Sequence, residues 1–289
     1  MKKALQVFAQ WLLYSHLYIG LCAAALTALT FYLLHIPYSF FSPEIVLGGS
    51  GATMVYILHR QIGMMRLEDV QLPDRYRKIL HLSHTTMALF FLSGLGLLYA
   101  FYSVPATEWH TLILPFFLTL GYLLPIFRGK RVRDFPFIKI ALVAIVWSWI
   151  SVILPALRYE MAHSFEIISL MIIERALFIF GITIPFDIRD IEQDRKSGTK
   201  TIPSSIRLRT SKLIAGVSIL VALAIDLVLT SYFHLYTTPI FVGFLFTYVL
   251  SLTLIAYSRP DLPDWYFTGL VDGLMLVLPI SIFMMQYIF

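Results

Sequence analysis

The sequence predicts an all-α membrane protein, with nine transmembrane helices in two four-helix halves around a central cavity and one domain over residues 1–289. Three observations carry that expectation. The chain is 58% hydrophobic and only 13% charged, with a mean hydropathy of +0.79, a balance typical of integral membrane proteins. Its apolar residues come in runs near the roughly 20 residues that a spanning helix needs. The runs are apolar all round, without the period-two alternation of a membrane β-barrel.

Taken in order, the runs are Val7–Leu34, Pro43–Leu58, Ser83–Tyr102, Thr111–Phe127, Phe137–Leu157, Phe165–Pro185, Leu213–Phe233, Pro239–Tyr257 and Tyr266–Phe289. The first follows Lys2 and Lys3 and contains Cys22-Ala23-Ala24-Ala25, which imitates the end of a signal peptide. The apolar stretch continues through Phe31-Tyr32-Leu33-Leu34, so an uncleaved first helix is the better reading. The single Cys22 cannot form an internal disulfide.

Basic residues alternate sides. Lys2 and Lys3, Arg60 to Lys78, Arg128 to Arg133, Arg189 to Lys212, and Arg259 fall on one side of these spans, and only Arg158 falls on the other. Short loops rich in Lys and Arg stay cytoplasmic. The expectation is a multi-pass protein of the cell membrane with its N-terminus inside and its C-terminus outside. The net charge of +5 resides in these loops, and nothing points to a nucleic-acid surface. The two long cytoplasmic connections, His59 to Leu82 and Asp187 to Lys212, are separated by four predicted helices. That spacing predicts two halves that share a site at their interface, a frequent membrane-protein plan.

The second of those connections carries the densest chemistry. Asp187, Asp190 and Asp194 are spaced three and four apart, so a helix would set them on one face. Three acids on one face repel one another unless a cation sits among them. Oxygen ligands of this kind suit Mg²⁺, which is held by a few carboxylates together with waters and substrate phosphates. Arg189, Arg195, Lys196 and Lys200 lie beside the acids and could take phosphate charge directly. Two readings stand side by side: a Mg²⁺–diphosphate site at the membrane face, or a solvated, charge-mixed loop after a membrane helix.

The run from Asp187 through Gly198 to Thr201 resembles the second aspartate-rich motif of the UbiA superfamily, the intramembrane aromatic prenyltransferases. Helix count and loop placement extend the resemblance over the whole chain. A weaker likeness is Tyr122 followed by Arg128-Gly129-Lys130-Arg131 and Phe135-Pro136-Phe137-Ile138-Lys139, similar to the family's tyrosine and basic residues after helix four. The resemblance implies that Mg²⁺ on Asp187, Asp190 and Asp194 binds an isoprenyl diphosphate. It also implies that Arg189, Lys196, Lys130 and Lys139 add positive charge, and that the prenyl chain passes to a hydrophobic acceptor within the bilayer. Quinone-precursor aromatics are the implied acceptors, and other lipid acceptors are open.

The family's first motif is missing. Where it places Asn-Asp-x-x-Asp-x-x-x-Asp, this chain reads Met54-Val55-Tyr56-Ile57-Leu58-His59-Arg60-Gln61-Ile62-Gly63, without a carboxylate. Tyr56, His59, Arg60 and Gly63 share one helical face. Arg60 has a permanent charge and a planar fork suited to phosphate oxygens, and His59 and Tyr56 can donate hydrogen bonds to the same group. The plain alternative is that Arg60 anchors its helix by snorkelling to the interface.

Several other residues have bland readings beside their functional ones. His81 and His84 lack the acid or Cys that would complete a transition-metal site with His59. Glu174 and Arg175 lie within a span, where ionisable groups mark a pathway or a pair, and the pair is favoured. Asp226 and Asp272 are lone intramembrane acids, and Asp272, followed by Gly273, is placed to face the cavity. Trp147, Trp149, Phe178 and Phe180 fit helix packing or a prenyl-lined tunnel. Two further classes remain: a non-catalytic protein of the same fold that binds an isoprenoid or quinone, and a small-molecule transporter.

Overall fold

The structure is a computed structural model that describes residues 2–65, 80–125, 131–157 and 163–289, without the side chains of residues 2–6, 65, 106–108, 196 and 197. Every regular element among the described residues is helical. Chain order gives α1 (Lys2–Tyr14), α2 (Leu17–Leu33), α3 (Pro43–Met65), α4 (Ser83–Ser103) and α5 (Ile113–Leu123). Then follow α6 (Ile138–Leu157), α7 (Phe165–Arg189), α8 (Ile191–Ser197), α9 (Ile202–Ser205), α10 (Leu208–Ser231), α11 (Thr238–Tyr257) and α12 (Tyr266–Ile288).

Six of these, α4, α6, α7, α10, α11 and α12, are long and apolar enough to cross a membrane, and α1 with α2 makes a seventh when the bent pair counts as one span. The bend is 67°, at Ser15 and His16. His16 takes a left-handed backbone, φ 68°, which no Gly or Pro in the sequence foretells. The α3 helix is longer than the expected second span and runs on through His59 and Arg60 to Met65. Its polar residues keep it outside the apolar set. The α5 helix is short and is entered through a 3₁₀ segment, Ala106–Leu112.

The helices close into a ring. Neighbours pack in the order α2, α3, α5, α6, α7, α10, α11, α12 and back to α2. The α4 helix stands outside it against α3, with only 17% of its apolar window buried, so the rest of its surface is left for lipid. Close approach fixes the α11–α12 pair: a Cβ on Gly243 would lie 2.6 Å from Ile282 Cα. Buried Phe31, Phe178, Phe244, Phe267 and Tyr248 belong to one apolar core that holds the ring together.

Local signals set the ends of the helix that carries the acids. Ser164 caps α7, its hydroxyl accepting from Ile167 N at 3.4 Å, an ordinary N-cap. The helix ends when Asp190 leaves helical geometry at φ −91°, ψ 8°. The short α8 then stops at Gly198, φ 71°, the left-handed C-cap that glycine adopts without strain. Two connections meet beside this end, where Phe137 N donates to Lys200 O at 3.1 Å.

Candidate active site

Inside the ring, a cavity of about 140 Å³ is lined by side chains of α1–α3, α5–α7 and α12, together with Arg133 and Asp264 from connections. Of the residues expected from sequence, Tyr56, His59, Arg60, Tyr122, Lys139, Asp187, Arg189 and Asp190 all line it. Asp194 does not line the cavity itself but touches it through Lys139, whose Nζ lies 2.6 Å from Asp187 Oδ1 and 3.8 Å from Asp194 Oδ2. Lys130 lies outside the described residues, and the side chain of Lys196 is likewise outside them.

The three acids stay close together but take different cationic partners, Asp187 and Asp194 sharing Lys139 and Asp190 pairing with Arg189. Asp190 is the one-residue junction between α7 and α8, and Arg189 binds it. Its Nε and Nη2 donate to the two Asp190 oxygens at 2.9 and 3.0 Å, and its Nη1 donates to Asp264 Oδ1 at 2.9 Å. A guanidinium fork bound twice to one carboxylate is among the strongest polar contacts available to a side chain. Burial raises the Asp194 carboxyl above the ordinary range, with Lys139 opposing that and Asp187 and Asp190 adding to it.

The wall beneath α3 is cationic and aromatic. Arg133 Nη1 lies 3.0 Å from His59 Nε2, and its guanidinium carbon sits 4.5 Å from the centre of the Tyr122 ring, a cation–π geometry. Arg133 is held there by its turn. Asp134 accepts from the Arg131 side chain at 2.8–3.1 Å and from Arg131 N at 3.0 Å. Burial pushes the Asp134 carboxyl up, but these hydrogen bonds outweigh it and hold the group below its usual value. Sequence reasoning counted Arg133 only among loop charges, because its contact with His59 spans 74 positions. Tyr14, His16 and Tyr18 also line the cavity, and no spacing signalled them.

Two apolar grooves adjoin the cavity. One of about 60 Å³ shares Tyr56, His59, Tyr122 and Val143 with it. A larger one, about 260 Å³, shares Val55, Tyr56, Thr119, Val146 and Trp147 with the first and extends past Gly48, Gly51 and Leu97. A polar head site thus lies next to apolar grooves between α2, α3, α5 and α6, with Tyr56 common to all three. In α6 the larger groove passes a π-helical turn, Trp149–Ile153, whose Trp149 Nε1 donates to Thr111 O at 2.8 Å.

Glu174 and Arg175 form the expected pair, Oε2 to Nε at 3.5 Å, with Tyr248 OH donating to Glu174 Oε1 at 2.5 Å. They are buried away from the cavity lining. Asp272, by contrast, does line the cavity.

Among the described residues, no group of three or more His, Cys, Asp or Glu side chains is gathered as a metal cage. The donor set is one-sided. Asp187 and Asp194 converge on one positive charge, Lys139 Nζ, which fits a single Mg²⁺ completed by phosphate oxygens and water rather than by protein alone.

No family model and no curated protein matches the chain. Solved structures do. A digeranylgeranylglyceryl phosphate synthase superposes with a TM-score of 0.56 at 11% identity, covering 95% of this chain and 98% of that one. A UbiA homologue from Aeropyrum pernix K1 superposes with a TM-score of 0.55 at 16% identity, covering 94% and 97%. The chain therefore shares the fold of these two structures over 94–95% of its length.

Proposed function

We propose that this chain transfers a prenyl group from an isoprenyl diphosphate to an aromatic, quinone-precursor-like acceptor or another lipid acceptor, in a Mg²⁺-dependent reaction within the bilayer. The observation that carries this is the adjacency of a charged cavity and apolar grooves that share wall residues with it, which matches a diphosphate joined to an isoprenoid chain. The UbiA-type fold supports the same reading.

In this reading Mg²⁺, held by Asp187 and Asp194 with Asp190 nearby, supplies Lewis-acid charge neutralisation on the leaving diphosphate. Lys139, Arg133 and Arg60 place fixed positive charge at the same end of the cavity. Charge of this kind lowers the barrier when it sits where negative charge develops, here on the departing oxygen as the allylic C–O bond breaks. Arg189 holds Asp190 and Asp264 together and so ties the end of α7 to the start of α12. Tyr56, Tyr122 and Trp147 border the path of the hydrocarbon and shield the allylic carbon from bulk water. Lys130 and Lys196 belong to the proposal only through their place in the sequence motifs.

The proposal includes nine crossings in two halves, in the cell membrane, with the N-terminus and the acidic connection cytoplasmic. Reporter fusions at Ser103 and His234 test this, and a cytoplasmic signal from either contradicts it. A second reading, a non-catalytic protein that binds isoprenoid diphosphates or quinones, is favoured by one observation. The α3 end of the site presents Tyr56, His59 and Arg60 in place of carboxylates. The experiment that separates the readings mixes purified protein with Mg²⁺, an allylic diphosphate and a panel of aromatic acceptors. Pyrophosphate release with prenylated product supports transfer, and tight donor binding without release supports the second reading.

A further inference from the structure

Four carboxylates line the head cavity, and three of them are committed. Asp187 pairs with Lys139, and Asp190 and Asp264 both pair with Arg189. Asp272 is the exception. Among the described residues its side chain makes no ion pair and no hydrogen bond, although it lines the cavity and is only partly buried. A carboxylate left unsatisfied at membrane depth is costly, and such groups are kept where they serve a function.

The backbone around Asp272 is fixed from three directions. It follows directly on a π-helical turn, Tyr266–Val271, a feature that recurs at functional sites. Its own carbonyl accepts from Cys22 Sγ at 3.6 Å, and Tyr18 OH donates to Gly269 O at 2.9 Å. Gly273 permits this approach, since a Cβ there would lie 2.6 Å from Tyr18 OH. The carboxylate is thus anchored by its main chain and left open at its oxygens. The groups that face it are Arg60 of α3, Arg189 of α7 and Asp264 of the preceding connection. Tyr18 and Cys22 of α2 and Tyr56 of α3 face it as well, and His16 shares the cavity wall.

We propose that Asp272 is the proton acceptor of the transfer reaction, taking the proton from the acceptor's nucleophilic O–H or activated ring C–H. The inference rests on the prenyl-transfer reading above. In the balanced step, the acceptor atom forms a bond to C1 of the prenyl chain as the C1–O bond to diphosphate breaks. The electron pair of that bond leaves with the diphosphate, and the proton released by the acceptor passes to an Asp272 oxygen. The paired carboxylates cannot serve equally, because each is already neutralised by a cation. An acceptor that reaches Asp272 is one with a hydrogen to donate beside its nucleophilic atom, which describes phenols and hydroxylated lipids.

The test compares wild type and Asp272→Asn in the same nanodiscs, reading affinity for a non-cleavable thio-substituted prenyl diphosphate and the rate of transfer to a phenolic acceptor. The expected result is unchanged donor affinity, with kcat for transfer lower by about 100-fold or more, the usual scale of a lost general base. The acid limb of the pH–rate profile should vanish with it, a signature that a purely structural role would not produce. Asp272→Glu guards against misfolding and should restore part of kcat. Transfer by Asp272→Asn at the wild-type rate overturns the proposal, as does equal loss of donor binding in both variants. If wild type binds the donor but never transfers it, the prenyl-transfer reading falls first. A wild type that transfers normally alongside an equally active Asp272→Asn sinks only the role of Asp272.

Discussion

Lys139 Nζ lies 2.6 Å from Asp187 Oδ1, so the first acid of the motif is neutralised from α6, a different helix. Asp194 shares the same ammonium at 3.8 Å, while Asp190 turns to Arg189. The acids therefore divide into a pair that surrounds one cation and a third that serves as a strut.

That division predicts unequal mutants. Asp187→Asn and Asp194→Asn should each weaken Mg²⁺-dependent binding of an isoprenyl diphosphate by roughly 10- to 100-fold, the scale of a lost charge-assisted contact. Asp190→Asn should cost less in binding and more in thermal stability, because it removes the clasp on Arg189. Calorimetric titration of the three variants, with melting curves, checks the order. Equal losses in all three would mean that the acids act as one cluster.

Arg60 stands where the family resemblance places carboxylates, and it lines the cavity with His59 and Tyr56. Arg60→Ala should weaken donor binding by about 1.5–3 kcal/mol, as for a hydrogen bond to a charged group. Arg60→Lys should recover part of it, since an ammonium cannot span two oxygens in a planar fork. Titration of a prenyl diphosphate analogue with Mg²⁺ present decides this, and wild-type affinity in Arg60→Ala would make the residue a mere interfacial anchor.

Asp134 offers a test through pH. Its carboxyl is held below the usual range by Arg131 despite the opposing effect of burial. A depressed carboxyl stabilises the folded turn above its unfolded value, near 3.9, and loses that contribution as pH falls through the folded one. The turn that positions Arg133 should therefore stay intact down to ordinary carboxylate pH and loosen below it. Asp134→Ala should lower donor affinity about threefold to tenfold already at neutral pH, a loss of roughly 1 kcal/mol. Fluorescence of a reporter at Phe135 against pH, in both proteins, measures the difference.

Gly51 borders the larger apolar groove, and a Cβ there would meet only Leu97 Cδ2, at 3.9 Å. Gly51→Phe should thus fold and fill the groove. Donors with long isoprenoid chains should lose affinity while a dimethylallyl donor keeps it. A competition assay across chain lengths reads this directly, and a uniform loss would place the chain elsewhere.

Much of this was legible in the chain. Apolar runs located most of the helices, because a bilayer leaves few other solutions for backbone hydrogen bonds. The sequence singles out Asp187, Asp190, Arg60, Tyr122 and Lys139, which the structure places around one cavity, and Asp272 as a lone acid that lines the same cavity. What escaped notice depends on contacts distant in sequence. Arg133 reaches His59 across 74 positions, and the kink at His16 arises without Gly or Pro. The division of the three acids between two cations was hidden for a related reason: spacing fixes the face a residue occupies, not the cation that meets it there.

The central claim is that the head site holds an isoprenyl diphosphate through Asp187 and Asp194 and releases its prenyl chain to an acceptor. The most direct measurement is acceptor-dependent pyrophosphate release, with the prenylated product identified by mass, for wild type and the Asp187→Asn, Asp194→Asn double variant in nanodiscs with Mg²⁺. The account predicts product and pyrophosphate in equal amounts from wild type and neither from the folded double variant. Donor binding without any release from wild type, or equal release from both proteins, would contradict it.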